Sequence, residues 1–279
     1  MGFFELAMLE AVLLGALSGI VGTIVVLRKR AFFTVALTHA TFPGGVVAAL
    51  LGLNILLGAA VFSVVLVLIM LGISRVHRQG SQVASGVVLT FGFALGALLQ
   101  SLNRGMSLQV DTFLVGSILT VSPGDIWATG VVFVAALALI LVAGKELLFS
   151  SFDPQGFRVA GFRPAAIDLA SLALIAATVV VAMPAVGSIL SIALIAGPAV
   201  SARLLIKRVE WMIPLAVLFG ILSGVGGLWF SRIFAIAAGG SISLTACALF
   251  VAAVVFDRVK RYRGERRNRG CSEAQYVAA

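Results

Sequence analysis

Charged side chains are scarce: they make up 11% of the 279 residues, with only 11 Asp and Glu. A soluble domain of this size carries roughly a quarter of its residues as charges, so a water-soluble fold is excluded. Histidine occurs twice, at His39 and His77, and cysteine twice, at Cys247 and Cys271. Those numbers give no cysteine or histidine cluster with metal-site spacing. Cys247 falls in an apolar block and Cys271 in a basic tail, which excludes a native disulfide if the tail is cytoplasmic. No phosphate-cradling glycine loop and no Ser-His-Asp grouping is present. The expectation is therefore a chain that is not an enzyme and holds no permanent cofactor.

What the chain has in quantity is apolar sequence. Hydrophobic residues reach 61% and mean hydropathy is +1.15. They come in blocks near 6–27, 34–53, 55–73, 83–102, 126–143, 167–183, 186–200, 211–231 and 241–256. Most approach the roughly 20 residues that span a hydrocarbon core. The expected fold is an all-α polytopic membrane bundle of about nine crossings. Eight is the alternative if the block around 183–200 merges or half-inserts. The block 6–27 opens with Glu5 and Glu10 rather than a basic segment, so it reads as a retained span and not a signal peptide. The stretch 112–121 is too short to cross and fits a re-entrant or interfacial helix.

Basic residues give the orientation. With nine crossings and the N-terminus outside, eighteen of the 20 Lys and Arg fall on the cytoplasmic side, leaving only Arg104 and Arg232 outside. That asymmetry is the positive-inside pattern. The net charge of +9 thus marks topology and not nucleic-acid binding. The expectation is a multi-pass protein of the inner or plasma membrane, with a transmembrane domain over 1–257. Residues 258–279 form a basic cytoplasmic tail, expected to be disordered and to touch anionic headgroups. Glycines four apart, Gly15 with Gly19 and Gly92 with Gly96, mark flat stripes where helices pack closely.

Few polar groups lie inside the spans. His39 sits in the second apolar block, and a histidine at membrane depth points to function, imidazole being a common metal ligand. Pro43-Gly44-Gly45 follows and can break the helix, freeing carbonyls along an ion path. Thr34, Thr38 and Thr41 share one helical stripe, either as pathway lining or as packing hydrogen bonds. His77 lies between Arg75 and Arg78 in a loop and is expected to be solvated. Pro198 is expected to end or kink the seventh block. The sequence after it, with Arg203, Lys207 and Arg208, then reads as a short basic amphipathic helix that could dock a soluble partner.

Four stretches together resemble the permease subunits of ATP-binding-cassette importers for manganese, zinc or iron. They are residues 19–43, which contain Leu27-Arg28-Lys29-Arg30 and Ala36-Leu37-Thr38-His39-Ala40; Asp111-Thr112-Phe113-Leu114-Val115-Gly116-Ser117-Ile118-Leu119; Phe152-Asp153-Pro154-Gln155; and 186–203, with its Gly-Pro-Ala and Ala-Arg. The resemblance covers about 6–257. It implies a type II importer permease carrying a divalent metal ion as substrate. It also implies a second permease subunit, a cytoplasmic ATPase dimer and an extracytoplasmic metal-binding protein as partners. By the same resemblance His39 is the metal ligand, and Thr38, Thr41 and Pro43 belong to the pathway. Pro198, Arg203, Lys207 and Arg208 form the ATPase-coupling region. The family's second span usually carries Asp-x-x-x-His. Here the histidine matches at His39, but the aspartate position holds Val35. A self-sufficient channel or secondary transporter, or a structural membrane protein, are the rival readings; the former needs ion-coupling acids, and only Glu10 and Asp168 come near.

Overall fold

The computed structural model describes residues 3–74, 81–102, 116–162, 164–188, 190–206 and 208–277. Among them there is no strand. The helices are α1 (Phe3–Leu27), α2 (Ala31–Ala40), α3 (Phe42–Leu50), α4 (Ile55–Ser74), α5 (Ser81–Leu102), α6 (Pro123–Phe152), α7 (Pro154–Val159), α8 (Pro164–Val186), α9 (Ser191–Leu205), α10 (Val209–Phe234) and α11 (Ala238–Val277). A 3-10 turn, Ile118–Thr120, precedes α6. The basic sequence after Phe256 continues α11 to Val277.

Eight helices are long and apolar enough to cross a bilayer, α2 and α3 counting as one span, Ala31–Leu50. The apolar block expected over 186–200 instead forms α9, which has 15 residues. At 1.5 Å per residue it is about 22 Å long, short of the roughly 30 Å hydrocarbon thickness. Yet its ends lie on opposite faces of the bundle. At one end Ser243, near the start of α11, donates to the Leu190 carbonyl at 3.3 Å. At the other, Arg203 donates to the Val26 carbonyl at the end of α1, also at 3.3 Å, and shares a cleft with Asp257 and Lys260 farther along α11. Counting α9, nine passes between the faces are found among the described residues. One face gathers the ends of α1, α6, α9 and α11's apolar part and the starts of α8 and α10, and is called the basic face below.

The termini of these helices follow from local chemistry. Ser122 and Asp125 form a reciprocal capping box at the start of α6, with Pro123 where its missing N–H is harmless. Asp153 caps α7 by accepting from the Gly156 amide at 2.8 Å. Phe157 then inserts fully buried between Phe149 and Phe162. Gly187, at φ 91°, turns the chain after α8, a conformation that glycine reaches without strain.

Tight backbone contact is the main packing device. Lipid tails give no hydrophobic drive between helices, so small residues that permit close approach decide the packing. A Cβ on Gly15 would collide with the Gly220 carbonyl of α10, one on Gly19 with Ala216 and Val217, and one on Gly224 with Ala11. Gly92 meets Ala40 and Gly96 meets the Phe42 ring. Both stripes legible in the sequence are thus seams within one chain, the first joining α1 to α10 and the second joining α5 to α2 and α3. Two polar contacts join α1 to α6. Thr129 donates to buried Glu10 at 2.7 Å, and Arg28 donates to Ser150 at 2.6 Å.

Candidate functional site

His39 lies eight residues into the span that begins at Ala31, about 12 Å along the axis and near mid-span. Its surroundings follow from the pattern of α2. Phe33, Thr34, Ala36, Leu37, Thr38 and Ala40 are buried, whereas Phe32 is 42% exposed and Val35 and His39 are half-buried. The open residues share one side of the helix, beside α5. There the His39 and Phe93 rings stand perpendicular, with centroids 6.2 Å apart and planes at 89°. Phe93, itself exposed, stacks on Phe42 at 6.3 Å, and Gly86 leaves room for the Phe32 ring.

The threonines point elsewhere. Thr38 donates to the Val35 carbonyl at 2.8 Å, and Thr41 to the Leu37 carbonyl at 2.9 Å and toward the Met183 sulfur at 3.7 Å. Thr34 donates to the Arg30 carbonyl. All three are buried, and their hydroxyls bond within their own helix turn. His39 is therefore not brought together with Thr38 or Thr41 in the single chain.

The helix break expected at Pro43-Gly44-Gly45 is confined to Thr41, which keeps right-handed helical angles (φ −75°, ψ −12°). Pro43 occupies the first turn of α3, where its ring is tolerated, and it offers no N–H to the His39 carbonyl. Gly44 serves the packing, since it lies against Gly58 of α4. The helix therefore does not unwind around His39.

Pro198 also departs from expectation. It neither ends α9 nor precedes a separate basic helix. It is buried inside α9, which runs on through Arg203 to Leu205. Neighbouring helices enclose the turn whose hydrogen bond it removes, a setting in which membrane helices tolerate proline. After Leu205 the chain extends through Ile206, and Arg208 is the extended N-cap of α10. Lys207 lies outside the described residues, as do His77 and Asp111. Arg203 and Arg208 line a cleft of about 940 Å³ on the basic face, with Trp211, Asp257, Lys260 and Arg261. Asp257 is occupied by Arg261 at 2.8 Å.

One polar centre went unread in the sequence. Buried Arg28 donates to Asp168 at 2.6 Å, to Ser171 at 2.8 Å and to Ser150 at 2.6 Å, and Arg30 stands 3.7 Å from the same aspartate. Burial lowers the Arg28 pKa and Asp168 opposes that shift. The signal available was a lone acid near the end of one span and a basic cluster at the end of another. Their pairing across 140 positions is a tertiary fact.

A family model described as the ABC 3 transport family matches residues 1–257. The manganese transport system membrane protein MntC of Halalkalibacterium halodurans is 32% identical over 269 residues, covering 95% of this chain and 92% of that protein. The zinc transport system membrane protein TroC of Treponema pallidum is 37% identical over 228 residues, covering 78% and 76%. Among solved structures, PsaBC from Streptococcus pneumoniae in complex with Fab superposes with a TM-score of 0.78 at 32% identity, over 91% of each chain. An inward-facing metal-chelate type ABC transporter, at 17% identity and a TM-score of 0.72, shares the fold.

Proposed function

The chain belongs to the ABC 3 transport family, and from that premise we propose that it is the membrane-spanning subunit of an ATP-driven importer. The cargo is a divalent transition metal, manganese or zinc with iron also open, delivered to the cytoplasm. The observation that carries the reading is His39, an imidazole (a side chain of the metal-ligating kind) at mid-span on the half-open α2–α5 side of an apolar bundle. Relatives named for manganese and zinc transport support the cargo class.

The chain has no phosphate-binding loop, so energy arrives from a partner. Arg203 in the last turn of α9 and Arg208 at the N-cap of α10 flank the turn between these helices, and we assign the stretch from Pro198 to Arg208, Lys207 included by sequence, to the ATPase contact. Concentration of Lys and Arg on that face supports its being cytoplasmic, with the C-terminus on the same side. A second permease subunit would close the half-open α2–α5 side, with Thr38, Thr41 and Pro43 setting the backbone around His39. An extracytoplasmic metal-binding protein would deliver the ion to the opposite face. The segment 258–279 would act as a cytoplasmic tail beyond the 1–257 transmembrane domain.

The test is uptake of radioactive manganese, zinc and iron in cells deleted for this gene and complemented with it. Loss of one metal's uptake on deletion, restored by the gene, is expected. Unchanged uptake of all three, in cells without another importer for them, would sink the reading. A second reading, a proton-coupled secondary transporter, draws on Glu10. It is fully buried in α1, with one carboxylate oxygen held by Thr129 and the other without a partner among the described residues.

A further inference from the structure

The cleft of about 940 Å³ on the basic face opens where the end of α9, the start of α10 and the end of α11's apolar part come together. Among the described residues, the cations lining it are Arg203, Arg208, Lys260 and Arg261, and the only acid is Asp257. That acid is taken by Arg261 at 2.8 Å. Arg203, Arg208 and Lys260 are exposed and form no ion pair among the described residues. Like charges gathered around one cleft repel each other and attract a counter-ion. Arginine forks in particular match the geometry of a phosphate group.

The walls of the cleft narrow the choice of anion. Between the cations the lining is apolar, with Val200, Leu204 and Ile206 on the α9 side and Trp211 on α10. Trp211 is 61% exposed, so its ring faces the surroundings more than the bundle. An amphipathic ring at the end of a span marks the depth of the headgroups. On α11, Phe256, one turn before Lys260, and Val259 beside it are exposed too, and they continue the apolar surface along the span. A soluble phosphate gains nothing from such walls, whereas a phospholipid offers a phosphate and acyl chains to the two kinds of surface at once. Basic pockets between membrane helices bind acidic headgroups in this way. We propose that this cleft binds an anionic phospholipid, its phosphate held by Arg203, Arg208 and Lys260 and an acyl chain along the apolar wall beside Trp211. Bound there, the lipid bridges the turn between α9 and α10 to α11. The ATPase is the rival occupant, because Arg203 and Arg208 flank the turn assigned to it. The apolar walls and the exposed Trp211 favour the lipid.

The experiment reads Trp211 fluorescence in the purified full-length chain with Trp127→Phe and Trp229→Phe, two exposed positions, so that Trp211 is the single tryptophan. The chain is placed in phosphatidylcholine nanodiscs to which dibrominated phosphatidylglycerol or dibrominated phosphatidylcholine is added, bromine quenching tryptophan only at contact. The anionic lipid is expected to half-quench Trp211 at a mole fraction about tenfold or more below that of the neutral one. Lys260→Gln should weaken this preference by about fivefold, the effect of one basic residue at an anionic surface. Arg203→Gln with Arg208→Gln should weaken it by about twentyfold or more on the same basis. Asp257→Asn, which removes the acid and releases Arg261, should strengthen it. Arg258→Gln removes an exposed cation that does not line the cleft and should leave the preference unchanged. Equal quenching by the two lipids would overturn the inference. So would an Arg258→Gln effect as large as that of Lys260→Gln, which would show diffuse attraction to the whole basic face. Relief of quenching by millimolar inorganic phosphate would overturn it in favour of a soluble anion. Loss of the preference in the chain co-purified with its ATPase would assign the cleft to that partner instead. None of these outcomes depends on metal uptake, so the inference and the metal-permease reading fail separately.

Discussion

Arg28 and Asp168 meet at 2.6 Å on the basic face, joining the end of α1 to the start of α8, and the same guanidinium reaches α6 through Ser150. One planar donor thus fastens three helices. A lysine in its place would keep the charge but lose the fork that serves three partners.

Arg28→Ala is accordingly expected to destabilise the bundle by about 2 kcal/mol. That is below the range for a fully buried pair, because Asp168 is 39% exposed and can be hydrated once released. Asp168→Asn should cost about 1 kcal/mol or less. Thermal unfolding of the purified variants in nanodiscs checks both, and an Arg28→Ala protein as stable as wild type would contradict the account.

At the other end of α1, Thr129→Val leaves Glu10 buried with neither oxygen bonded, and should cost about 1–3 kcal/mol. Glu10→Leu combined with Thr129→Val should cost less than the two singles added, by about 1 kcal/mol. A double-mutant cycle on unfolding measures that coupling, and strict additivity would show that the 2.7 Å contact carries no energy.

Glycine seams give a third expectation with opposite signs at two sites. Gly15→Ala places a methyl against the Gly220 carbonyl and should destabilise by about 1–3 kcal/mol. A Cβ at Gly130 in α6 meets nothing within 4 Å, so Gly130→Ala should be neutral or stabilise by up to about 1 kcal/mol. Melting temperature and yield of the two variants in parallel distinguish them.

For the partner contact, Arg203→Glu with Arg208→Glu reverses two charges at the turn between α9 and α10. Charge reversal at a complementary interface costs several kcal/mol. Metal uptake should fall by about tenfold or more at unchanged membrane level, and co-purification of the ATPase should weaken. Full uptake with both charges reversed would remove this turn from the coupling region.

Much of the fold was legible because apolar length and glycine spacing are local properties of the sequence. Of the nine apolar blocks read as about nine crossings, eight are helices long enough to span and the block near 186–200 forms the shorter α9, while Gly15, Gly19, Gly92 and Gly96 all lie in seams as their spacing implies. Where the reading departed from the structure, neighbours decided. Pro198 reads as a helix end or kink by local rules, but a packed environment carries α9 through it to Leu205. Pro43-Gly44-Gly45 reads as an unwound stretch, but a seam against Gly58 keeps it helical. His39 was visible as a polar group in an apolar span. Which side of α2 it occupies, opposite to the threonines, depends on packing against α5 and α8 and was not. The Arg28 centre was hidden because its partners come from two distant segments, α6 and α8.

The most direct measurement is transport by proteoliposomes made once with the purified chain alone and once with the chain co-purified with its ATPase and second permease subunit, each loaded with a metal-sensitive dye. The account predicts metal flux only in the complete assembly and only with ATP, abolished by His39→Ala at equal incorporation. Flux through the chain alone, driven by a proton gradient and lost in Glu10→Gln, would contradict it and establish the secondary-transporter reading instead.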